Sequence, residues 1–94
     1  MINVWIHSNI ARLAHDKLDW QFESENEQTE LLSVLQNIFL NDRNLFFGII
    51  DETGEIRKHI NIFKGSTNIK KLNGLNTIVK NGEEISIFTA VSGG

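Results

Sequence analysis

A single amphipathic helix pattern, flanked on both sides by alternating segments, restricts the fold of this chain more than any other feature. Thr29 can cap the helix through its hydroxyl, and an apolar stripe with helical spacing follows. The stripe consists of Leu31, Leu32, Leu35, Ile38 and Phe39. The helix is expected to end by Asn41-Asp42, because these side chains compete for backbone groups. At about eleven residues it would be marginal alone, so it must pack on one apolar face of a sheet.

Alternation of apolar and polar residues predicts the strands of that sheet. The strands are expected over residues 2–7, 18–23, 56–64 and 84–90. The first two form a hairpin across the loop Asn9–Lys17, and Asn81-Gly82 is a strong turn signal before the last strand. The segment near residues 68–69 can form a very short strand. Length and periodicity do not decide between helix and strand for the apolar run Leu45–Ile50.

The element order is strand, strand, helix, strand, short strand, strand, which predicts an α+β fold. The first and last strands can then be parallel neighbours at the centre of the sheet. This is the β-grasp arrangement, the architecture of ubiquitin: a mixed four- to five-stranded sheet covered by one main helix. Residues 1–90 are expected to form this domain, and residues 91–94 a flexible C-terminal tail that ends in Gly-Gly.

Composition excludes several classes of function. The 94 residues contain no cysteine, which excludes disulfides, thiolate zinc sites and cysteine nucleophiles. A net charge of −3 argues against a nucleic-acid partner. No apolar stretch approaches the roughly 18 residues of a membrane helix, and the N-terminus lacks the basic region of a secretory signal. We therefore expect a cytoplasmic protein without a membrane partner. The three histidines lack the spacing of a helical metal motif, so no metal site is predicted.

The C-terminal half resembles a known family. Residues 83–94, Glu-Glu-Ile-Ser-Ile-Phe-Thr-Ala-Val-Ser-Gly-Gly, are similar to the end of the ubiquitin-like sulfur carriers (MoaD/ThiS-like). These include the molybdopterin-synthase small subunit and the carriers of thiamin and cysteine biosynthesis. Residues 74–77 and 80–84 also resemble the family, and His59–Phe63 is similar to the central strand of the cysteine-carrier branch. The clear likeness covers residues 55–94, whereas the first half agrees only in its order of elements.

The resemblance implies a function for the tail. In this family the carboxylate of the C-terminal glycine reacts, so Gly94 would be adenylated from ATP by a partner enzyme and converted to a thiocarboxylate that donates sulfur. Val91, Ser92 and Gly93 would carry this end into the partner's active site. Four extended residues reach about 13 Å, and glycine fits a narrow channel because it has no side chain.

The same resemblance implies the partners. The chain would be a protein co-substrate rather than an enzyme, with no bound cofactor. It would work with a ubiquitin-activating-type (ThiF/MoeB-like) adenylyltransferase that consumes ATP, a sulfur donor enzyme and a sulfur-accepting synthase. Thr89 and Ser92 depart from the family pattern, which often has proline or an aliphatic residue at the first position and alanine at the second. The pathway therefore stays open between the cysteine type and the molybdopterin type.

Three aromatic residues suggest where a partner docks. Trp5, Phe63 and Phe88 alternate with the apolar residues assigned to the core, so they lie on the opposite face of the sheet. If the last strand lies between the first and third, the three form one row. An exposed aromatic cluster marks a partner site, and we predict that the adenylyltransferase docks here. The alternatives are burial under a neighbouring loop and simple cross-strand pairing.

Two other functions are compatible with the same residues. The chain could be a ubiquitin-like modifier whose Gly94 forms isopeptides with lysines, since adenylation precedes both fates. It could also be a non-covalent subunit that uses only its aromatic face. The first two functions require Gly93 and Gly94, whereas the third does not.

Overall fold

A computed structural model describes residues 1–7 and 17–89 as a mixed sheet with helices on one face. The strands are β1 (Ile2–Ile6), β2 (Asp19–Phe22), β3 (Ile60–Lys64), β4 (Thr67–Asn68) and β5 (Glu84–Thr89). Their order in the sheet is β2-β1-β5-β3-β4. The β1–β5 pair is parallel and the other three pairs are antiparallel. The predicted β-grasp fold is confirmed, including the parallel first and last strands. Most of the predicted loop Asn9–Lys17, Ala90 and the tail 91–94 lie outside the described residues.

Two α-helices cover the sheet, rather than the one main helix expected. Helix α1 is Leu31–Ile38 and helix α2 is Arg43–Ile49. The apolar run of undecided type is therefore helical: Leu45, Phe46 and Ile49 are buried, and Phe47 is exposed. Seven residues make only two helical turns, too few for periodicity to show. Two short 3₁₀ turns, Ile69–Lys71 and Gly74–Asn76, follow β4.

The start of α1 corrects the predicted threonine cap. Glu30 is the N-cap residue, and its side chain makes no capping hydrogen bond. The Leu31 N–H donates instead to the carbonyl of Thr77 at 2.9 Å. The Thr29 hydroxyl donates to the Asn26 carbonyl at 2.8 Å and also bonds the Ser24 hydroxyl at 2.6 Å. A carbonyl distant in sequence therefore satisfies an N–H group that a local cap was expected to satisfy.

The third strand is shorter than predicted because a turn and a bridge occupy its first residues. Ile56 forms an isolated bridge with Ile50, and regular pairing begins only at Ile60. In the turn between them, Asp51 Oδ1 accepts from the hydroxyl and N–H of Thr53 and from the N–H of Glu55. These hydrogen bonds lower the pKa of the Asp51 carboxyl, and the bond from the Thr53 hydroxyl has the largest effect. The turn is thus stabilised above the ordinary carboxyl pKa, and this contribution is lost as the pH falls through the lowered pKa.

The hydrophobic core lies between the inner face of the sheet and the two helices. The predicted inward residues of the first, third and last strands are buried, namely Ile2, Val4, Ile6, Ile60, Ile62, Ile85 and Ile87. On the apolar side of the second strand, Trp20 and Phe22 are only partly buried and Leu18 is exposed, because β2 is an edge strand. Leu31, Leu35 and Phe39 of the predicted helical stripe are buried against them, and Leu32 and Ile38 are partly buried. Trp20 of β2 meets the Phe39 ring edge-on at a centroid distance of 5.0 Å. The helix therefore covers the sheet with the face that its apolar spacing predicted.

Asn81 of the predicted turn also joins two distant parts of the chain. Its Oδ1 accepts from the Ser24 N–H at 3.0 Å, and its Nδ2 donates to the Ser24 carbonyl at 2.8 Å. Ser24 is only 9% exposed, so its backbone groups have limited access to water. We expect Asn81→Ala to lower the free energy of unfolding by about 1–3 kcal/mol, because both groups lose their partner. Urea denaturation measures this change.

The control for this substitution is Asn76→Ala. Asn76 is exposed, and its side chain makes no hydrogen bond to the described residues. A surface substitution of this kind changes stability by no more than about 0.5 kcal/mol. Equal urea midpoints for the two variants would contradict the role assigned to Asn81.

Candidate functional site

The outer face of the sheet carries the aromatic residues that the sequence singled out. Strand alternation places Trp5, Phe63 and Phe88 opposite the buried side chains of Val4, Ile62 and Ile87. Because β5 lies between β1 and β3, the three rings occupy adjacent strands. Each is partly buried rather than covered. We call Trp5, Phe63 and Phe88 the aromatic row.

The rings of the aromatic row contact one another. Phe88 lies at the centre, with its ring centroid 5.4 Å from that of Trp5 and 5.8 Å from that of Phe63. Ser86 is paired directly with both Trp5 and Phe63, and its small side chain stands between the two larger ones. The Trp5 ring also meets the His7 ring at 6.2 Å. The predicted row is therefore present. Its rings pair across strands and keep partial exposure, so pairing and docking are compatible.

The last strand is held in the sheet up to Thr89, the last described residue. β5 is bonded on both sides: the His7 N–H donates to the Ile87 carbonyl at 2.9 Å, and Ile60 is the partner of Thr89. Val91, Ser92, Gly93 and Gly94 lie outside the described residues, so their predicted roles remain predictions. Gly94 is the sixth residue after Phe88, a reach of about 20 Å at most. A partner docked on the aromatic row would therefore have residue 94 within reach.

Sequence reasoning did not assign a role to the polar residues beside the aromatic row. A groove of about 550 Å³ lies next to Trp5, and Asp19 and Glu84 both line it. The sequence does place Asp19 and Glu84 on the outward side of predicted strands, because both alternate with apolar residues. Only the strand order shows that they flank the same tryptophan.

Across residues 1–7 and 17–89, His, Asp and Glu side chains form no group of three that could hold a metal ion. Within the same ranges, no helix combines the length and apolar character needed to cross a bilayer.

A β-grasp domain whose central strand leads to a Gly-Gly sequence defines the class of small ubiquitin-like carriers and modifiers. Comparison with known proteins supports this class. Residues 12–94 match the ThiS family, and the chain belongs to that family. Its members are small protein carriers or modifiers rather than catalysts, and they work with activating enzymes.

Individual relatives and solved structures agree with the family. Small archaeal modifier protein 3 of Haloferax volcanii is 34% identical over 47 residues, which is 50% of this chain and 51% of that protein. The match thus spans about half the length of this curated relative. Small archaeal modifier protein 1 of Methanosarcina acetivorans has a TM-score of 0.77 at 28% identity, covering 99% of this chain and 95% of that one. A chain of the Amycolatopsis orientalis BexX/CysO complex has a TM-score of 0.84 at 17% identity, with complete coverage of both, and this likeness shows the fold.

Proposed function

We propose that this chain is a sulfur carrier whose terminal glycine, Gly94, is converted to a thiocarboxylate that donates sulfur in biosynthesis. The observation that carries the proposal is the family match, which extends through residue 94 on a fold whose central strand leads to that residue. The proposal requires that Gly94 bear a free carboxylate in the mature protein.

The chemistry explains why a carboxylate end is needed. The Gly94 carboxylate attacks ATP in the partner's active site, which forms an acyl-adenylate and releases pyrophosphate. Hydrosulfide provided by the sulfur donor then attacks the acyl carbon and displaces AMP, which leaves the thiocarboxylate. ATP is bound and consumed by the partner, and the carrier itself needs no bound cofactor. This chain supplies the reacting carboxylate. Gly93 and Gly94 have no side chains, so they fit a narrow channel.

The partners follow from the same steps. A ubiquitin-activating-type adenylyltransferase would dock on the aromatic row, with Val91 and Ser92 leading into its active site. A sulfur donor enzyme and a sulfur-accepting synthase complete the cycle. The shared fold with a chain of the BexX/CysO complex supports a partner-dependent role. The pathway proposed is of the cysteine type, with the molybdopterin type as the alternative.

A second function, protein modification, is favoured by the relatives themselves. Two of them carry the name small archaeal modifier protein. In this alternative the activated Gly94 forms isopeptides with lysines of other proteins. The two functions share the adenylation step and differ in their products.

Intact mass spectrometry of the untagged protein from its own cells tests the proposal. We expect a fraction heavier by the difference between one sulfur and one oxygen atom, localised to Gly94 by fragmentation. A plain carboxylate at Gly94, together with remnants of this chain on lysines of other proteins, would establish the modifier function instead. A mature chain that does not end at Gly94 would contradict both.

A further inference from the structure

The groove beside Trp5 has a definite composition. It runs across β2, β1 and β5 on the outer face and has a volume of about 550 Å³. Trp5, Asp19, Gln21, Glu84 and Ser86 are among the residues that line it. Phe88 contacts Trp5 from the end nearer the tail, whereas the groove extends the opposite way along the strands. The Trp5 indole therefore contacts Phe88 on one side and faces the groove on the other.

Two carboxylates stand on opposite sides of β1 along this groove. Asp19 of β2 is the direct partner of Trp5, and Glu84 of β5 is the direct partner of Asn3. Both acidic residues are exposed. Within the described part of the chain, the ion pairs are Arg57–Glu52 and Lys64–Glu83, so neither Asp19 nor Glu84 takes part in one.

The sheet itself supplies no cation to this face. The outward positions of the five described strands carry no lysine or arginine; Lys64 of β3 lies on the opposite side, with its Nζ bonded to the Ile78 carbonyl at 3.2 Å. Lys17, next to β2, has its Nζ 4.1 Å from the centroid of the Trp20 ring. Among residues 1–7 and 17–89, therefore, no lysine or arginine neutralises the two carboxylates of the groove, and this local negative charge attracts a positive group.

We propose that the groove receives an arginine side chain from the protein that docks on the aromatic row. The guanidinium would stack on Trp5 and donate hydrogen bonds to the carboxylates of Asp19 and Glu84. Arginine fits better than lysine, because its planar group both stacks on aromatic rings and bonds carboxylates in a fork. The inference rests on the proposed function, since it specifies the docking chemistry of the activating enzyme.

The inference can be tested without the partner. Nα-acetyl-arginine methylamide is titrated into the full-length ¹⁵N-labelled chain at low ionic strength, where surface charges are least screened. The matched probe is the citrulline analogue, which has the same shape without the charge. We expect saturable amide and indole shifts confined to Trp5, Asp19, Glu84 and their strand neighbours, for the arginine probe alone. Equal shifts for both probes, scattered shifts or none would overturn the proposal.

Substitutions in the groove make the test specific. Asp19→Asn combined with Glu84→Gln preserves side-chain shape and changes the net charge from −3 to −1. We expect the Kd of the arginine probe to rise about tenfold, because two exposed ion pairs are lost. Trp5→Leu should raise it about threefold through loss of the cation–π contact. The control pair Glu27→Gln and Glu55→Gln makes the same charge change outside the groove and should leave the Kd within twofold. An equal rise with the control pair would show that net charge alone attracts the probe, and would overturn the proposal.

The result of the arginine titration is independent of the test of the proposed function. The titration uses neither ATP nor an enzyme, so it reports on the groove whether or not a thiocarboxylate forms in cells. A confirmed thiocarboxylate with no arginine binding would reject the groove and retain the carrier function. Arginine binding without any product at Gly94 would retain the groove proposal and reject the carrier function.

Discussion

Removing Gly93 and Gly94 is expected to abolish thiocarboxylate formation completely, because the deletion removes the carbon that receives the sulfur. The fold should persist, since the buried core is built from residues between Ile2 and Ile87. The measurement is intact mass after incubation with ATP, a sulfur source and the activating enzyme of the same cells. Circular dichroism of the truncated chain checks that the sheet is retained.

Ser92→Ala is the control for this deletion. It keeps the length of the tail and the terminal carboxylate, and alanine is the residue that the family resemblance leads one to expect there. We therefore expect near-normal thiocarboxylate formation. If the truncated chain still supports the cellular process that requires this protein, both covalent functions fail and the non-covalent subunit takes their place.

Phe88→Ala is expected to lower the kcat/KM of thiocarboxylate formation about 30-fold, with the chain still folded. Phe88 lies at the centre of the aromatic row and contacts both of its neighbours. Central aromatic residues of an interface contribute about 2 kcal/mol or more to binding, which corresponds to this factor. The rate is measured from the growth of the sulfur-containing mass at concentrations of the carrier well below its KM.

Phe47→Ala is the matched control, since Phe47 is an aromatic residue of helix α2 that is 42% exposed. It lies on the helical side of the sheet, away from the aromatic row, so its loss should leave kcat/KM within about twofold. Equal losses of rate for the two variants would reject the aromatic row as the docking surface. Thermal unfolding of both variants separates loss of docking from loss of fold.

Local pattern was enough to predict most of the elements. Period-two alternation placed Ile2, Val4 and Ile6 on one face and Trp5 on the other, and all four lie as expected. The helical stripe from Leu31 to Phe39 packs on that inner face. These predictions succeeded because burial on one side of a strand or helix leaves a period in the sequence that does not depend on distant partners.

Predictions that depended on distant partners were the ones that failed. Thr29 has the chemistry of a helix cap, yet the carbonyl of Thr77 accepts from the first helical N–H. The apolar run Leu45–Ile50, whose type the sequence left undecided, lies mostly in helix α2 with its buried side packed on the core. Two turns are too short for periodicity to show this beforehand. The third strand begins late, because Ile56 pairs with Ile50 instead of with the sheet.

The sequence by itself determined the face of the sheet on which each aromatic residue lies, because this follows from strand alternation. Only the tertiary structure decided which side chains meet across strands. Strand order brought Phe88 between Trp5 and Phe63, and it set Asp19 and Glu84 on either side of β1. The physical reason is that hydrogen-bond register between segments far apart in the chain is a property of the assembled sheet.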